Sequence, residues 1–244
     1  MLKNPAFGNT QTVMGNNEMS EPQYDNLELI MAKSKAMIKL GKQLHAISPE
    51  LYPFDLYLIG AINRSINLNK GFVDLMKSNN FISAAPLVRL NLDNFMRLYA
   101  ARVSIHDINK FASLVMNGKR VSDIRFAGKV NGKNGQKLTD NFLKKELSKV
   151  EGKEWVQDIY DAGNSFVHLG EVSIGSSRKI ISEEERQIGI SIGFHDSMIP
   201  IEQKQGAVYW MNEIIDSIIE QAQWWMYDKS ELHGFDYESL NDIK

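Results

Sequence analysis

Three groups of side chains in this chain could do chemistry. Arg89, Asp93 and Arg97 recur at four-residue spacing, which on a helix places them on one face. Their flanks are apolar, and charged groups in such surroundings need partners. Two arrangements supply them: a structural Arg–Asp–Arg network tying this helix to Asn67 or Asp74 of a neighbour, or a cationic pocket in which Asp93 orients Arg89 and Arg97 toward a phosphate or carboxylate. Spacing leaves both open. The second group is Gly163-Asn164-Ser165-Phe166-Val167-His168, just ahead of Gly170. A histidine in a last helical turn complements the negative end of the helix dipole, with Gly170 as the C-cap glycine. The same imidazole is the side chain best matched to proton transfer near neutral pH, as general acid or base.

The third group is electrostatic. Asn117 to Lys149 holds nine Lys or Arg against three Asp or Glu, a net +6, whereas Asp196 to Lys244 holds three against ten, a net -7. Within the basic stretch Lys119, Arg120, Arg125, Lys129 and Lys133 are the candidate phosphate contacts. Such blocks solvate a surface, collect a polyanion, or let copies associate head to tail through opposite fields, and the last two depend steeply on salt.

Other chemistries fail on residue type or spacing. The chain has no cysteine, which excludes disulfides, thiolate metal sites and a Cys nucleophile and fits a reducing cytoplasm. His45, His106, His168, His195 and His233 include no i,i+4 pair and no Glu-x-x-His, so no metal site is expected. Gly128-Lys129-Val130-Asn131-Gly132-Lys133-Asn134 has its glycines one residue too close for a phosphate loop, and turns at Asn131-Gly132 and Asn134-Gly135 explain it better. No cofactor is expected. Tyr209, Trp210, Trp224 and Trp225 could stack on bases, but aromatic residues on a long amphipathic helix also serve a core or a dimer contact.

Positioning these groups requires helices. The 244 residues are 43% hydrophobic and 24% charged with a net charge of -2, which is the composition of a soluble globular chain able to bury its own core. Residues 1–24, rich in Asn, Gly, Ser and Gln, read as a flexible arm without a signal-peptide pattern. No apolar run is long enough to span a membrane. Helical periodicity then predicts a capping-box start at Asp25 and Glu28 and a helix ending near Ser48, a second from Pro53 to about Ser78, and a third from Ser83 to Val103. The third is apolar on most of its circumference and belongs at the centre of the core, with Pro86 in its first turn. Helices follow over Asp107 to Asn117, Asp140 to about Val150, Lys153 to about Leu169 and Ile201 to Tyr227. Residues 118–139 read as a mobile basic loop. Val172 to Ile174 and Ile188 to Ile192 are expected to pair as a hairpin within 172–193. Residues 230–244 read as an acidic tail. The expected fold is mostly α, one helical-bundle domain over 25–229 with a small β-hairpin.

The stretch Ala84-Ala85-Pro86-Leu87-Val88-Arg89-Leu90-Asn91-Leu92-Asp93, with Ser165-Phe166-Val167-His168 further on, resembles the bacterial DUF5677 family, in which an Arg-x-x-x-acidic helix precedes a Ser-x-Val-His helix end. That family is in turn distantly similar to HEPN-type helical bundles, many of them dimeric, metal-independent ribonucleases of toxin and phage-defence systems. Their motif is an arginine, a polar residue, three further positions and a histidine. Aligned on His168, Asn164 takes the polar position and Gly163 the arginine position. Glycine cannot hold a scissile phosphate, so the resemblance implies either a composite site, with Arg89 or Arg97 supplying the cation beside Asn164 and His168, or an inactive fold kept for binding. It implies RNA as ligand and a homodimer. The competing expectation is a non-enzymatic interaction protein acting through homodimerisation and protein partners.

Overall fold

The structure, a computed structural model, describes residues 23–129, 135–168, 170, 174–184, 187–190, 192–193, 196 and 198–242. Its α-helices are α1 (Leu27–Ile47), α2 (Pro53–Lys77), α3 (Phe81–Val103), α4 (Ile108–Met116), α5 (Asp140–Leu147), α6 (Val156–Val167) and α7 (Ile201–His233). A two-stranded antiparallel hairpin, β1 (Arg178–Ser182) and β2 (Gln187–Ile190), lies between α6 and α7 in the chain. The fold is therefore mostly helical with a minor β element, as the periodicity predicts. No described helix is long and apolar enough to cross a membrane.

Local chemistry sets the boundaries. At α2, Pro53 occupies the first turn and the Asp55 carboxylate accepts the Tyr52 N–H at 2.9 Å, so the helix opens with one missing donor and one satisfied donor. At α3 the Asn80 side chain accepts the Ser83 N–H at 3.3 Å. This cap starts α3 two residues earlier than the sequence suggests and moves Pro86 out of the first turn into the helix body. α3 is the central element: it packs against α2, α6 and α7, and Leu92, Phe95, Met96 and Leu98 on it are fully buried. Phe54, Phe72 and Phe111 from α2 and α4 and Ile214, Ile215 and Ile218 from α7 complete the same core.

Several expectations need correction. Tyr24, assigned to the arm, is buried, and α1 begins after Asn26 in a left-handed conformation with no side-chain cap, so the Asp25–Glu28 capping box does not form. The loop over 118–139 is fastened along its described part. Ile105 and Ala127 donate to Arg125 and Val103 carbonyls, Phe126 to Gln136 and Leu138 to Ile124, all at 2.8–2.9 Å. Val121, Ile124 and Leu138 are buried beneath it; these three apolar residues anchor a segment whose Lys and Arg content suggested none. The described hairpin has Arg178–Ser182 as its first strand, paired through Ile180 with Ile188, and Ile174, expected in a strand, is helical. Residues 172 and 173 lie outside the described residues. The β-branched pair Ile180-Ile181 marks the strand that was missed. The acidic tail over 230–244 is largely structured: α7 runs to His233, Gly234 caps it at φ 61°, and a 3₁₀ turn over Tyr237–Asp242 buries Leu240, whose carbonyl accepts the Gln43 amide at 2.6 Å.

Candidate functional site

α3 and α6 run antiparallel, because Phe81 meets Phe166 at one end and Phe95 meets Trp155 at the other. The two helices meet tightly at Gly163. A Cβ there would lie 2.7 Å from the Arg89 Cβ and 3.1 Å from its Cγ and Cδ, closer than carbon atoms tolerate. This explains the glycine at the position where the resemblance would place arginine: the Arg89 stem already fills that space. Beyond Gly163 the Arg89 guanidinium lies 3.8 Å over the Tyr160 ring. Arg89 is 9% exposed and its Nε has no hydrogen-bond partner. Among the described residues it forms no ion pair. Lys144 of α5, equally buried, lies 4.7 Å from the same ring but is paired with Asp161 at 2.5 Å.

Arg97 is in a different situation. Its Nη2 is 2.5 Å from Asp140 and 3.2 Å from Asp93, while Asp93 also faces Arg64 of α2 at 3.9 Å. Burial works against the charged form of Arg97, yet Asp93 and Asp140 outweigh it and raise its pKa. Burial also pushes the neighbouring Tyr57 phenol up to about 12, with Arg97 opposing and Asp93 adding to the shift. Asp93 thus joins α3 to α2, and Arg97 joins α3 to α5. The carboxylate contacts Arg97 and Arg64, so among its described partners Arg89 does not appear, and the Arg89–Asp93–Arg97 stripe divides into two settings. The neighbour expected to receive it is also different: Asp74 pairs with Lys70 on its own helix.

His168 is the C-cap residue of α6, with its N–H on the Asn164 carbonyl at 3.0 Å and its side chain exposed. Gly170 is two residues beyond the cap, where its N–H reaches the Ser165 carbonyl at 2.8 Å and closes a Schellman-type end. A Cβ at Gly170 would fall 2.9 Å from the Ser165 Cα, so that end needs glycine. Asn164 and Gly163 are one turn or so from His168, and Arg89 stands beside Gly163. Arg97, held at Asp140, is not part of that group. A cavity of about 280 Å³ adjoins Gly163 between α3, α6 and α7, with Phe81, Val88, Arg89, Phe166 and Trp210 on its walls; neither Asn164 nor His168 lines it.

The basic segment is presented at the surface. Lys119, Arg120, Arg125 and Lys129 are all exposed, and none forms an ion pair with a described carboxylate, whereas Lys137 is 3.6 Å from Asp123. Arg120 lies on the rim of a shallow depression with Arg97 and Asp140. Lys133 lies outside the described residues. Of the candidate stacking residues, Trp225 is core: it is 3% exposed and donates to Asp55 at 2.7 Å. Tyr209 is exposed and Trp210 is half-buried. Among the described residues no cluster of three metal-ligating side chains forms.

The sequence reading also misses a feature of the core. A buried polar chain crosses the core from Ser34 through Asn69 and Asn91 to Asn94, each link 2.9–3.1 Å, and ends on Arg64 at the surface. Asn91 and Asn94 interrupt the apolar face of α3, and two asparagines three residues apart in such a helix were the available signal. Comparison with family models, curated proteins and solved structures finds no match for this chain.

Proposed function

We propose that this chain is a cytoplasmic, HEPN-like helical bundle that binds RNA through the segment following α4. The observation that carries the reading is the set of four exposed cations, Lys119, Arg120, Arg125 and Lys129, with no carboxylate partner among the described residues. Around Arg125 the backbone is fastened to the end of α3, and at Lys119 to the Leu114 carbonyl of α4, so the segment presents these cations from an ordered backbone. An unneutralised cationic surface attracts a phosphate backbone by releasing its counterions, whatever the base sequence. The cleavage expected from the resemblance would fall to His168, exposed at the end of α6, moving a proton during attack by a ribose 2′-hydroxyl. Arg89 packs directly against Gly163 of that motif, whereas Arg97 already has two carboxylates.

Fluorescence anisotropy with a single-stranded RNA across a salt series tests the binding. Wild type is expected to bind at low salt and to lose affinity linearly in log–log form. Replacing Lys119, Arg120, Arg125 and Lys129 together by Gln should flatten that slope by up to about 3, at roughly 0.7 per phosphate contact. No binding at low salt, or an unchanged slope in the variant, overturns the reading. Incubating RNA with wild type and His168→Ala in chelator separates binding from cleavage: products that need His168 make it an enzyme, and intact RNA makes it a binding protein only.

A further inference from the structure

The hairpin carries an inference independent of RNA. β1 and β2 pair only with each other among the described residues, and a lone two-stranded ribbon is marginally stable in water. Its composition is wrong for an exposed ribbon. Arg178, Ile180, Ile188 and Ile190 share one face through the pairs Arg178 with Ile190 and Ile180 with Ile188, and Ile181 follows at a register shift. Ile180 and Ile181 are 62% and 63% exposed, and Ile188 and Ile190 about half exposed. Edge strands ordinarily protect themselves with charge, proline or brevity. β1 is short and its register shifts between Ile180 and Ser182, but it still exposes adjacent isoleucines in mid-strand, side chains that favour burial against a further strand.

The charges flanking those isoleucines indicate what covers β1. The sequence from residue 178 reads two basic residues, Ile180, Ile181, Ser182, Glu183 and Glu184. It is positive at one end, apolar in the middle and negative at the other. A strand of that pattern is complementary to itself when paired antiparallel. With Ile181 on the two-fold axis, Ile180 faces Ser182 of the second copy, and Arg178 comes beside the second copy's exposed Glu183–Glu184 corner, twice over by symmetry. Parallel pairing would set like charges together. We propose that β1 is a homodimerisation strand: two copies of the chain join edge to edge through β1 into a four-stranded sheet ordered β2–β1–β1–β2.

Sedimentation velocity on the full chain, without RNA, from about 1 to about 100 µM tests this. Wild type is expected to be a dimer in that range. Ile181→Lys, which sets like charges across the axis at an exposed position, should weaken association by at least about tenfold, and Arg178→Glu by about three- to tenfold. Far-UV circular dichroism of each variant should match wild type, since neither side chain is buried. Combining Arg178→Glu with Glu184→Arg restores opposite charges across the interface and should recover the dimer. A wild-type monomer at the highest concentration overturns the proposal, as does a dimer indifferent to Ile181→Lys or a charge swap that fails to restore association. RNA affinity measured separately leaves this result untouched in either direction.

Discussion

Two buried cations, Lys229 on α7 and Arg89 on α3, show what a closed site and an open one look like in the same bundle. Lys229 is fully buried, with its ammonium 2.9 Å from Asp55 and 3.2 and 3.3 Å from the Leu44 and Glu50 carbonyls. Asp55 is closed in turn: it also accepts from Trp225 at 2.7 Å and from the Tyr52 N–H at 2.9 Å. Every donor has an acceptor, and the group joins the start of α2 to the end of α7. Arg89 is nearly as buried but has the Tyr160 face in place of a carboxylate, and its Nε has no partner. A cation whose donors are all used is architecture. Arg89, with a spare donor and no carboxylate among the described residues, is held by shape, and shape is what Gly163 supplies.

The largest effect expected from this contrast is at Lys229. Replacing it by Met removes the ammonium and leaves Asp55 buried with two neutral donors, which should cost about 3–5 kcal/mol of stability. Urea unfolding would report it as a lower midpoint with an unchanged slope. Adding Asp55→Asn should recover part of the loss, because the orphaned charge is then gone. A single-variant loss below about 1 kcal/mol would mean that the pair is not the closed unit described, and the comparison would lose its reference point.

The closed site was less legible in the sequence than the open one. Asp55 and Lys229 are 174 residues apart, and nothing local marks a lysine near the end of a helix as fully buried. The long helices were legible because burial imposes a period: α3 is apolar around most of its circumference, and its place at the centre follows. The Arg89–Asp93–Arg97 stripe was visible for the same reason, yet its division was not. Asp140 and Arg64 reach it from other helices, and which partner comes within reach depends on how α2 and α5 dock. The hairpin strand at Arg178–Ser182 was misplaced because an exposed ribbon lacks the alternation that a half-buried strand shows. Gly163 stands where the resemblance expects an arginine. Its physical role, contact with the Arg89 stem, is a property of two helices together and has no signature in either alone.

A smaller effect is expected at Gly163, and its sign is informative. On an isolated helix Gly→Ala stabilises by about 0.8–1.0 kcal/mol. Here the added Cβ would stand 2.7 Å from the Arg89 Cβ, and forcing two helices apart in a filled contact costs about 1–3 kcal/mol. Gly163→Ala should therefore leave the protein destabilised by about 1 kcal/mol in thermal or urea unfolding. In an Arg89→Gly background, where the opposing Cβ is absent, the same substitution should become stabilising. Destabilisation that persists there would show that something other than Arg89 fixes the approach of α6.

The smallest effect belongs to Arg89 itself, and it separates the two cations most sharply. Arg89→Met keeps an unbranched stem against Gly163 and an apolar tip over Tyr160. It gives up the cation–π contact, about 0.5–2 kcal/mol, and relieves an unpartnered buried donor whose desolvation costs about 1–3 kcal/mol. These terms nearly cancel, so Arg89→Met should change stability by less than about 1 kcal/mol, against several for the matching substitution at Lys229. Should Arg89→Met prove as costly as Lys229→Met, Arg89 would be a structural cation satisfied in a way its geometry does not reveal. If the small loss holds while RNA affinity or cleavage falls, the charge is retained for a ligand, because the fold has no other use for it.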